Sequence, residues 1–318
     1  MSRQNYEPKP LFLERMKKLL GKDFESYMEI LKKEPVKSIR CNTLKISPKD
    51  LKKRLEEKGW EIKIPFKDYP EIMIIESELK PGEVGRAIEH LLGYYYMQEI
   101  ASMLPPLVLN PKKGEIVLDI CASPGSKTTQ IAARMENQGL LVANEVKFGR
   151  IKILAANTER CGVMNMIITR RDGIALCKKF KENNFLFDKI LLDAPCSGEG
   201  TIRSTPRTLE MWNINTIKNL SKLQKSLIAS AIEVLKPEGE LVYSTCTHAP
   251  EENEEIIDFA LKNFDVEVEK INLPLKFVQG VTKFEDKEYL EDVKYSCRIY
   301  PQNANTEGFF IAKIRKKK

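Results

Sequence analysis

The sequence lacks features that define whole classes of protein. No apolar run among its 318 residues approaches the roughly 20 residues that span a bilayer, and Met1–Pro8 contains no signal-peptide core. Its seven cysteines include no C-x-x-C pair, and their odd number and scattered spacing argue against a disulfide framework as well as a zinc ribbon. We therefore expect a protein of a reducing compartment, the cytoplasm, that uses neither a metal nor a membrane.

Positively charged residues are only mildly in excess. The net charge is +7, and residues 1–53 hold 14 Lys and Arg against 7 Asp and Glu, so the remainder of the chain is neutral overall. This balance is compatible with a polyanionic partner but does not identify one.

The pattern of predicted helices and strands changes near residue 90. Helical spacing of apolar residues over 10–34 and a short strand, helix, strand, strand order after it predict a small α+β module over residues 1–90. In residues 91–318 short apolar strands alternate with helices, which is typical of a doubly wound, mostly parallel Rossmann-like sheet. The strands are predicted at Ile116–Ile120, Leu140–Asn144, Met166–Thr169, Lys189–Leu192 and Glu240–Ser244.

The loop after the first of these strands has the composition of a ligand-binding loop. It is neither a Walker A motif nor G-x-G-x-x-G, but its small residues leave the backbone open to a ligand, and Lys127 adds a cation. Ligands of open α/β sheets bind beyond the carboxyl ends of the strands. The predicted cofactor loop consists of Cys121, Ala122, Ser123, Pro124, Gly125, Ser126 and Lys127.

Acids at the ends of the next two strands extend the predicted site. Glu145, 26 residues after Asp119, is well placed to take both ribose hydroxyls of an adenosine cofactor, and Asp172 could meet the adenine edge. We assign Arg150 to the same site. These residues predict a cofactor that contains a nucleoside, without separating NAD from S-adenosylmethionine.

Two cysteines follow predicted strands in Pro-, Gly- and Thr-containing turns, which suit a reactive thiol. They are Cys196 and Cys246, whereas the other cysteines are interpreted mostly as buried apolar fillers. A thiolate that adds to carbon 6 of cytosine makes carbon 5 able to attack a sulfonium methyl group. A disulfide between the two cysteines, or simple packing, remains the alternative.

At this point the motifs resemble those of the Nop/Sun family of RNA (cytosine-5)-methyltransferases. The matching segments run in order from about residue 36 to 314. They are Arg40–Leu44, Gln98–Pro105, Asp119–Thr128, Asp193-Ala194-Pro195-Cys196-Ser197-Gly198, Ser244-Thr245-Cys246, Arg298–Pro301 and Gly308–Phe310.

The resemblance implies an S-adenosylmethionine-dependent enzyme with an RNA-binding module before its catalytic domain. It implies that Cys246 is the nucleophile, that Cys196 assists product release, and that Asp193 meets cytosine nitrogen 3 and the amino group beside the cofactor. Lys127 occupies the family's lysine position and is assigned to substrate as well as cofactor. Two departures are conservative, since Ser126 replaces a frequent Gly and Glu145 replaces Asp.

Since no PUA-like extension follows residue 318, we expect the compact form, similar to archaeal tRNA methyltransferases. The module would bind RNA phosphates through Arg40 and Asn42. We expect a monomer that acts on tRNA, and leave open a helper protein that sharpens specificity. The alternatives are an rRNA methyltransferase, a non-catalytic RNA-binding assembly factor, and a DNA or small-molecule methyltransferase.

Overall fold

The computed structural model describes residues 6–318. The α-helices of this range are α1 (Pro10–Leu20), α2 (Phe24–Leu31), α3 (Pro48–Glu56), α4 (Glu83–Arg86), α5 (Ile88–Leu91), α6 (Ile100–Leu109), α7 (Ser126–Arg134), α8 (Phe148–Cys161), α9 (Gly173–Glu182), α10 (Thr208–Met211), α11 (Ile214–Glu233), α12 (Glu254–Asn263) and α13 (Pro301–Ala304). The strands are β1 (Ser38–Cys41), β2 (Ile62–Lys63), β3 (Ile72–Ile75), β4 (Tyr95–Met97), β5 (Ile116–Asp119), β6 (Leu140–Asn144), β7 (Met166–Thr169), β8 (Phe187–Asp193), β9 (Leu235–Thr245), β10 (Val266–Glu269), β11 (Val278–Gln279), β12 (Lys283–Phe284), β13 (Lys287–Glu288), β14 (Cys297–Ile299) and β15 (Phe309–Lys316).

The chain forms two compact units. The continuous unit is Val36–Leu191, and the discontinuous unit combines Met1–Pro35 with Leu192–Lys318. These units divide the chain at positions other than the predicted boundary at residue 90. The helices predicted at the start of the α+β module therefore pack in the discontinuous unit, because a helical pattern predicts an apolar face but not the surface that will cover it.

The continuous unit begins with the α+β fold predicted for residues 38–75. Strands β2, β3, β1 and β4 form an antiparallel sheet in which Ile39 lies opposite Met73 and Met97. Helix α3 begins at Pro48 because the Ser47 hydroxyl accepts a hydrogen bond from the Asp50 amide (3.1 Å), an N-cap. Two leucines of that helix, with Ile39, are buried in the core of this sheet.

The second half of the continuous unit is a parallel sheet in the order β8-β5-β6-β7. Leu118 lies opposite both Val142 and Ile190, and Asn144 lies opposite Thr169, so the carboxyl ends of these strands share one edge. Helices α7, α8 and α9 each follow one of these ends. The loops that connect these strand ends to the helices contain the residues predicted to bind the cofactor.

The discontinuous unit contains an antiparallel sheet in the order β11-β14-β15-β9, and β10 also pairs with β15. Helices α1 and α2 cover a cluster in which Phe12 and Tyr27 pack with Trp212. The helical pattern over residues 10–34 is interrupted because Gly21, at φ +52°, ends α1.

Strand β8 brings its last two residues into the discontinuous unit. There the Ala194 amide donates to the Ser244 carbonyl (2.9 Å), so the carboxyl ends of β8 and β9 are neighbours. The two predicted cysteine loops start from these two ends.

Candidate active site

The predicted reactive cysteines lie in contact. The sulfur atoms of Cys196 and Cys246 are 3.2 Å apart, both cysteines are free, and both are half-buried. A hydrogen bond with Cys246, together with burial, raises the pKa of Cys196 well above its ordinary value. The pair is therefore a contact between two free, partly exposed thiols, and the structure does not join it as a disulfide.

Asp193, predicted to hold the base, lies at the same strand ends. Its Oδ1 accepts a hydrogen bond from the hydroxyl of the buried Ser244 (2.7 Å). Because the Ser244 carbonyl also receives the Ala194 amide, the carboxylate is fixed to both β8 and β9.

The two cysteine loops are bonded to each other around the thiols. The hydroxyls of Ser197 and Thr247 are 2.8 Å apart, and the Gly200 amide donates to the Cys246 carbonyl (2.9 Å). A β-carbon at Gly200 would lie 2.2 Å from the Gly308 carbonyl oxygen, so only glycine fits there without a shift of backbone. The relative position of the two loops that carry the thiols is thus set by a side-chain contact, a main-chain hydrogen bond and the close approach of two glycines.

Two buried glutamates support these loops, and the sequence analysis missed both. Glu199 accepts from the Trp212 indole (2.6 Å) and from the Thr247 hydroxyl and His248 amide (3.1 Å each). Glu252 accepts from the Ser197 amide (3.0 Å) and is also bonded by a buried glutamine of α11, Gln224. Burial raises the pKa of both glutamates, that of Glu252 to about 7.

His248, two residues after Cys246, is not in contact with solvent. It is buried, it contacts the rings of Tyr27 and Tyr300, and burial followed by the charge of Arg298 lowers its pKa to about 3. The imidazole is therefore neutral and part of the packing behind the cysteine loops. We call Asp193, Cys196, Cys246 and the loops 194–200 and 246–253 the thiol edge.

The candidate cofactor edge belongs to the continuous unit and consists of residues 120–127, Glu145 and Asp172. Gly125, at φ +103°, turns the loop into α7, and its amide donates to the Ala122 carbonyl (2.8 Å). Thr128 ties the loop to its strand by donating to Asp119 (2.7 Å). Lys127 is buried, and its ammonium donates to the Ser102 hydroxyl (3.0 Å).

Glu145 and Arg150 lie beside this loop. The guanidinium of Arg150 donates to the Ser123 carbonyl and lies 3.3 Å from the Glu145 carboxylate. The other oxygen of Glu145 accepts from the Lys147 amide (2.8 Å). Both carboxylate oxygens retain lone pairs, so this buried acid can also accept from a pair of hydroxyls.

Asp172 follows β7 and caps α9. Its Oδ1 accepts from the amides of Ile174 and Ala175 (3.0 and 3.1 Å), which fixes the side chain at the cofactor edge.

Asn144, which the sequence analysis did not assign, joins the loops of the cofactor edge by hydrogen bonds. Its amide nitrogen donates to the Ile120 carbonyl (3.1 Å), and its oxygen accepts from the amide of the residue before Asp172 (3.1 Å).

Arg40 does not have the role expected of it. It is 1% exposed, and its guanidinium donates to the Ser126 carbonyl (2.6 Å), the Thr129 hydroxyl (2.8 Å) and the side chain of Gln98. Burial lowers its pKa to about 10. The expectation that it contacts an RNA phosphate is wrong, because Arg40 instead joins β1 to the first turn of α7, which carries Lys127.

Asn42 is corrected in the same way. It is 1% exposed, and its side-chain amide donates to the carbonyls of Gly93 and Cys161 (2.8 Å each). Because a polar side chain at the end of a strand can bond inside the protein as well as to a ligand, residue type alone did not distinguish the two roles. Both residues stabilise the interior of the continuous unit.

The hydrogen-bonding groups at the cofactor edge fit an adenosine cofactor. Glu145, an acid that can accept hydrogen bonds from hydroxyls, follows β6. A loop of small residues, whose peptide groups a ligand can approach, follows β5. Residues 6–318 bring no group of three His, Cys, Asp or Glu side chains together that could hold a metal ion. Along the same residues, no helix combines the length and apolarity that crossing a bilayer requires.

Comparison with known proteins decides the family. The family described as 16S rRNA methyltransferase RsmB/F matches residues 106–315, and the N-terminal domain of 16S rRNA methyltransferase RsmF matches residues 9–100. The chain belongs to the RsmB/F family. This confirms the predicted Nop/Sun resemblance and the Rossmann-like methyltransferase fold.

Relatives within the RsmB/F family are similar over most of this chain. A tRNA (cytosine(49)-C(5))-methyltransferase of Pyrococcus abyssi is 44% identical over 96% of this chain and 95% of its own length. A ribosomal RNA small subunit methyltransferase F of Vibrio parahaemolyticus is 40% identical, and the chain spans 62% of its length.

Two solved structures share the fold of this RsmB/F chain. A methyltransferase homologue from Pyrococcus horikoshii has a TM-score of 0.85 at 40% identity, covering 97% of this chain and 95% of its own. NSun6 from Pyrococcus horikoshii, crystallised with SFG, has a TM-score of 0.81 at 25% identity, and the coverage is 98% for both chains. The predicted enzyme class, an RNA cytosine-5 methyltransferase, is confirmed by these relatives.

Proposed function

We propose that this chain methylates carbon 5 of cytosine in tRNA with S-adenosylmethionine as the methyl donor. The observation that carries the chemistry is the contact between the sulfurs of Cys196 and Cys246, with Asp193 fixed at the same strand ends. A methyltransferase whose substrate atom is already nucleophilic, such as an oxygen or a nitrogen, has no need of two thiols in contact. The family supports the reaction class.

Cys246 is the proposed nucleophile. Its sulfur, once deprotonated, adds to carbon 6 of cytosine and makes the electron pair of the carbon 5–carbon 6 double bond available at carbon 5. Bound S-adenosylmethionine supplies an electrophilic methyl group at that carbon. Loss of the carbon 5 proton and departure of the Cys246 sulfur restore the double bond.

The assignment of Cys196 to release is supported by the family resemblance. The hydrogen bond with Cys246 raises the pKa of Cys196, and this suits Cys196 to hold a proton beside Cys246 during release. Asp193 would accept from the cytosine amino group and from nitrogen 3 when that nitrogen is protonated in the adduct. The target base must leave its stack to reach these residues.

The cofactor assignment is supported by the fit of the cofactor edge and by SFG, an S-adenosylmethionine analogue, in the structure of NSun6. Glu145 would bind the ribose hydroxyls, and Cys121–Lys127 would surround the remainder of the cofactor. Replacing Glu145 by Ala should weaken S-adenosylmethionine binding at least about ten-fold in calorimetry, because charge-assisted hydrogen bonds are lost. Glu159→Ala, which removes an exposed acid of the following helix α8, is the matched control, and equal affinities for the two variants would contradict the placement.

The choice of tRNA is supported by the Pyrococcus abyssi relative, which matches over nearly its whole length. Relatives named for small-subunit rRNA, of which the chain spans 60–63%, support rRNA as the second candidate. The test incubates the purified chain with labelled S-adenosylmethionine and tRNA, rRNA, DNA or free nucleotides in parallel. Bisulfite sequencing then locates the modified cytosine.

Label in tRNA alone supports the proposal, and label in rRNA alone selects the second candidate. Label in no nucleic acid would indicate an RNA-binding assembly factor without catalytic activity.

We also propose that the protein is a cytoplasmic monomer. The seven free cysteines of the described chain support the reducing compartment. Light scattering on the purified chain tests the monomer, and comparison of methylation with and without cell extract tests for a helper protein.

A further inference from the structure

A solvent-exposed aromatic ring lies among cations beside the cofactor edge. Phe148, at the start of α8, is 55% exposed. The ammonium of Lys152 lies 4.9 Å from the centre of its ring, and the guanidinium carbon of Arg170 lies 5.2 Å from it. The ring therefore offers an aromatic surface to solvent with two cations beside it.

The fold fixes the two segments that form this surface. Strands β6 and β7 are parallel with Asn144 opposite Thr169, and the Arg171 amide donates to the Asn144 side chain (3.1 Å). The residues that follow the two strands therefore emerge side by side. In this way Arg170 reaches the ring of Phe148 although the two residues are far apart in sequence.

The surface carries a positive charge that the protein itself does not neutralise. Lys147, Lys152, Arg170 and Arg171 are exposed, and within the described residues no ion pair involves them. The acid that follows β6, Glu145, is buried and bonded to Arg150, and the acid that follows β7 caps α9. We call Lys147, Phe148, Lys152, Arg170 and Arg171 the Phe148 platform.

We propose that the Phe148 platform binds an unpaired segment of the RNA substrate. One base stacks on the Phe148 ring, and the neighbouring phosphates lie against the four cations. Every base has a face that stacks on an aromatic ring, and Lys and Arg provide the charge that holds the backbone, which is the combination found in sites for single-stranded nucleic acid. This inference rests on the proposed function, since it takes the RNA substrate as its ligand.

The ring is tested by Phe148→Ala, with Phe148→Trp as the conservative variant. A fluorescein-labelled tRNA transcript is titrated with the full chain, and binding is followed by anisotropy. Phe148→Ala should bind about ten-fold more weakly, and Phe148→Trp should retain the affinity, because a larger ring also stacks. Met164→Ala, which removes an 82% exposed apolar side chain of the same unit, should leave the affinity unchanged.

The cations are tested by Arg170→Ala with Arg171→Ala in one chain. The matched control replaces Lys178 and Lys179, two exposed cations of α9, so that the net charge changes equally. The slope of log affinity against log salt should flatten by about 1.4 in the arginine variant, since two phosphate contacts with a single strand are lost. The control should retain the slope of the wild-type chain.

The outcomes separate this inference from the proposed function. Unchanged tRNA affinity in Phe148→Ala, or equal slopes in the two double variants, would overturn the inference while wild-type tRNA binding and methylation persist. A loss of S-adenosylmethionine affinity in Phe148→Ala without a loss of tRNA affinity would assign the ring to the cofactor instead. A wild-type chain that binds no tRNA would contradict the proposed function itself.

Discussion

The cofactor edge and the thiol edge are built differently. At the cofactor edge the two candidate acids follow strands and accept hydrogen bonds from nearby main-chain amides, Glu145 from that of Lys147 and Asp172 from that of Ile174. At the thiol edge the supporting acids, Glu199 and Glu252, are buried in loops and carry raised pKa values. A ligand-binding edge can therefore be specified by local sequence, whereas a pair of reactive thiols requires support from distant loops.

The largest effect that tests this comparison concerns the thiols themselves. Cys246→Ala should show no methyl transfer and no covalent RNA adduct, because the atom that adds to carbon 6 is absent. Cys196→Ala should still attack and methylate, and should then remain as a protein–RNA species that survives a denaturing gel. An adduct on Cys246→Ala and none on Cys196→Ala would reverse the two roles.

The second prediction tests the support of the cofactor edge. Arg40→Met should lower the free energy of unfolding by about 4 kcal/mol, because several buried acceptors lose their donor at once. Urea unfolding measures this, and Lys53→Met, an exposed cation of α3, should change the stability by less than about 0.5 kcal/mol. If Arg40→Met is as stable as its control, the bonds from Arg40 to α7 do not hold the cofactor loop in place.

Arg40 also shows where prediction from sequence reached its limit. The strand ends, the position of the loop after β5 and the positions of the two cysteines were predictable, because each depends on a pattern within a short segment. The packing of Arg40 against α7, and of α1 and α2 in the discontinuous unit, depends on which surfaces meet in three dimensions. Glu252 was missed for the same reason, since its partner Ser197 is 55 residues away.

The smallest predicted effect is a pH dependence at the thiol edge. Burial raises the pKa of Glu252 from 4.5 to about 7, and Glu199 beside it carries a pKa raised in the same direction. Between these values the folded chain holds a proton on Glu252 that the unfolded chain releases, so the contribution of Glu252 to stability is fully present below pH 4.5 and is lost as the pH rises through 7. The loss from Glu252 amounts to about 3 kcal/mol, since each pKa unit corresponds to about 1.4 kcal/mol.

Glu252→Gln should remove most of this dependence, because the amide keeps an acceptor for the Ser197 amide and never ionises. Unfolding by urea at a series of pH values should therefore give a flatter profile for Glu252→Gln than for the wild-type chain. Glu288→Gln, an exposed acid of β13, is the control and should follow the wild-type profile. A Glu252→Gln profile as steep as that of the control would mean that Glu252 stays ionised, bonded to Ser197 and Gln224. The thiol edge would then resemble the cofactor edge in being held by charged acids.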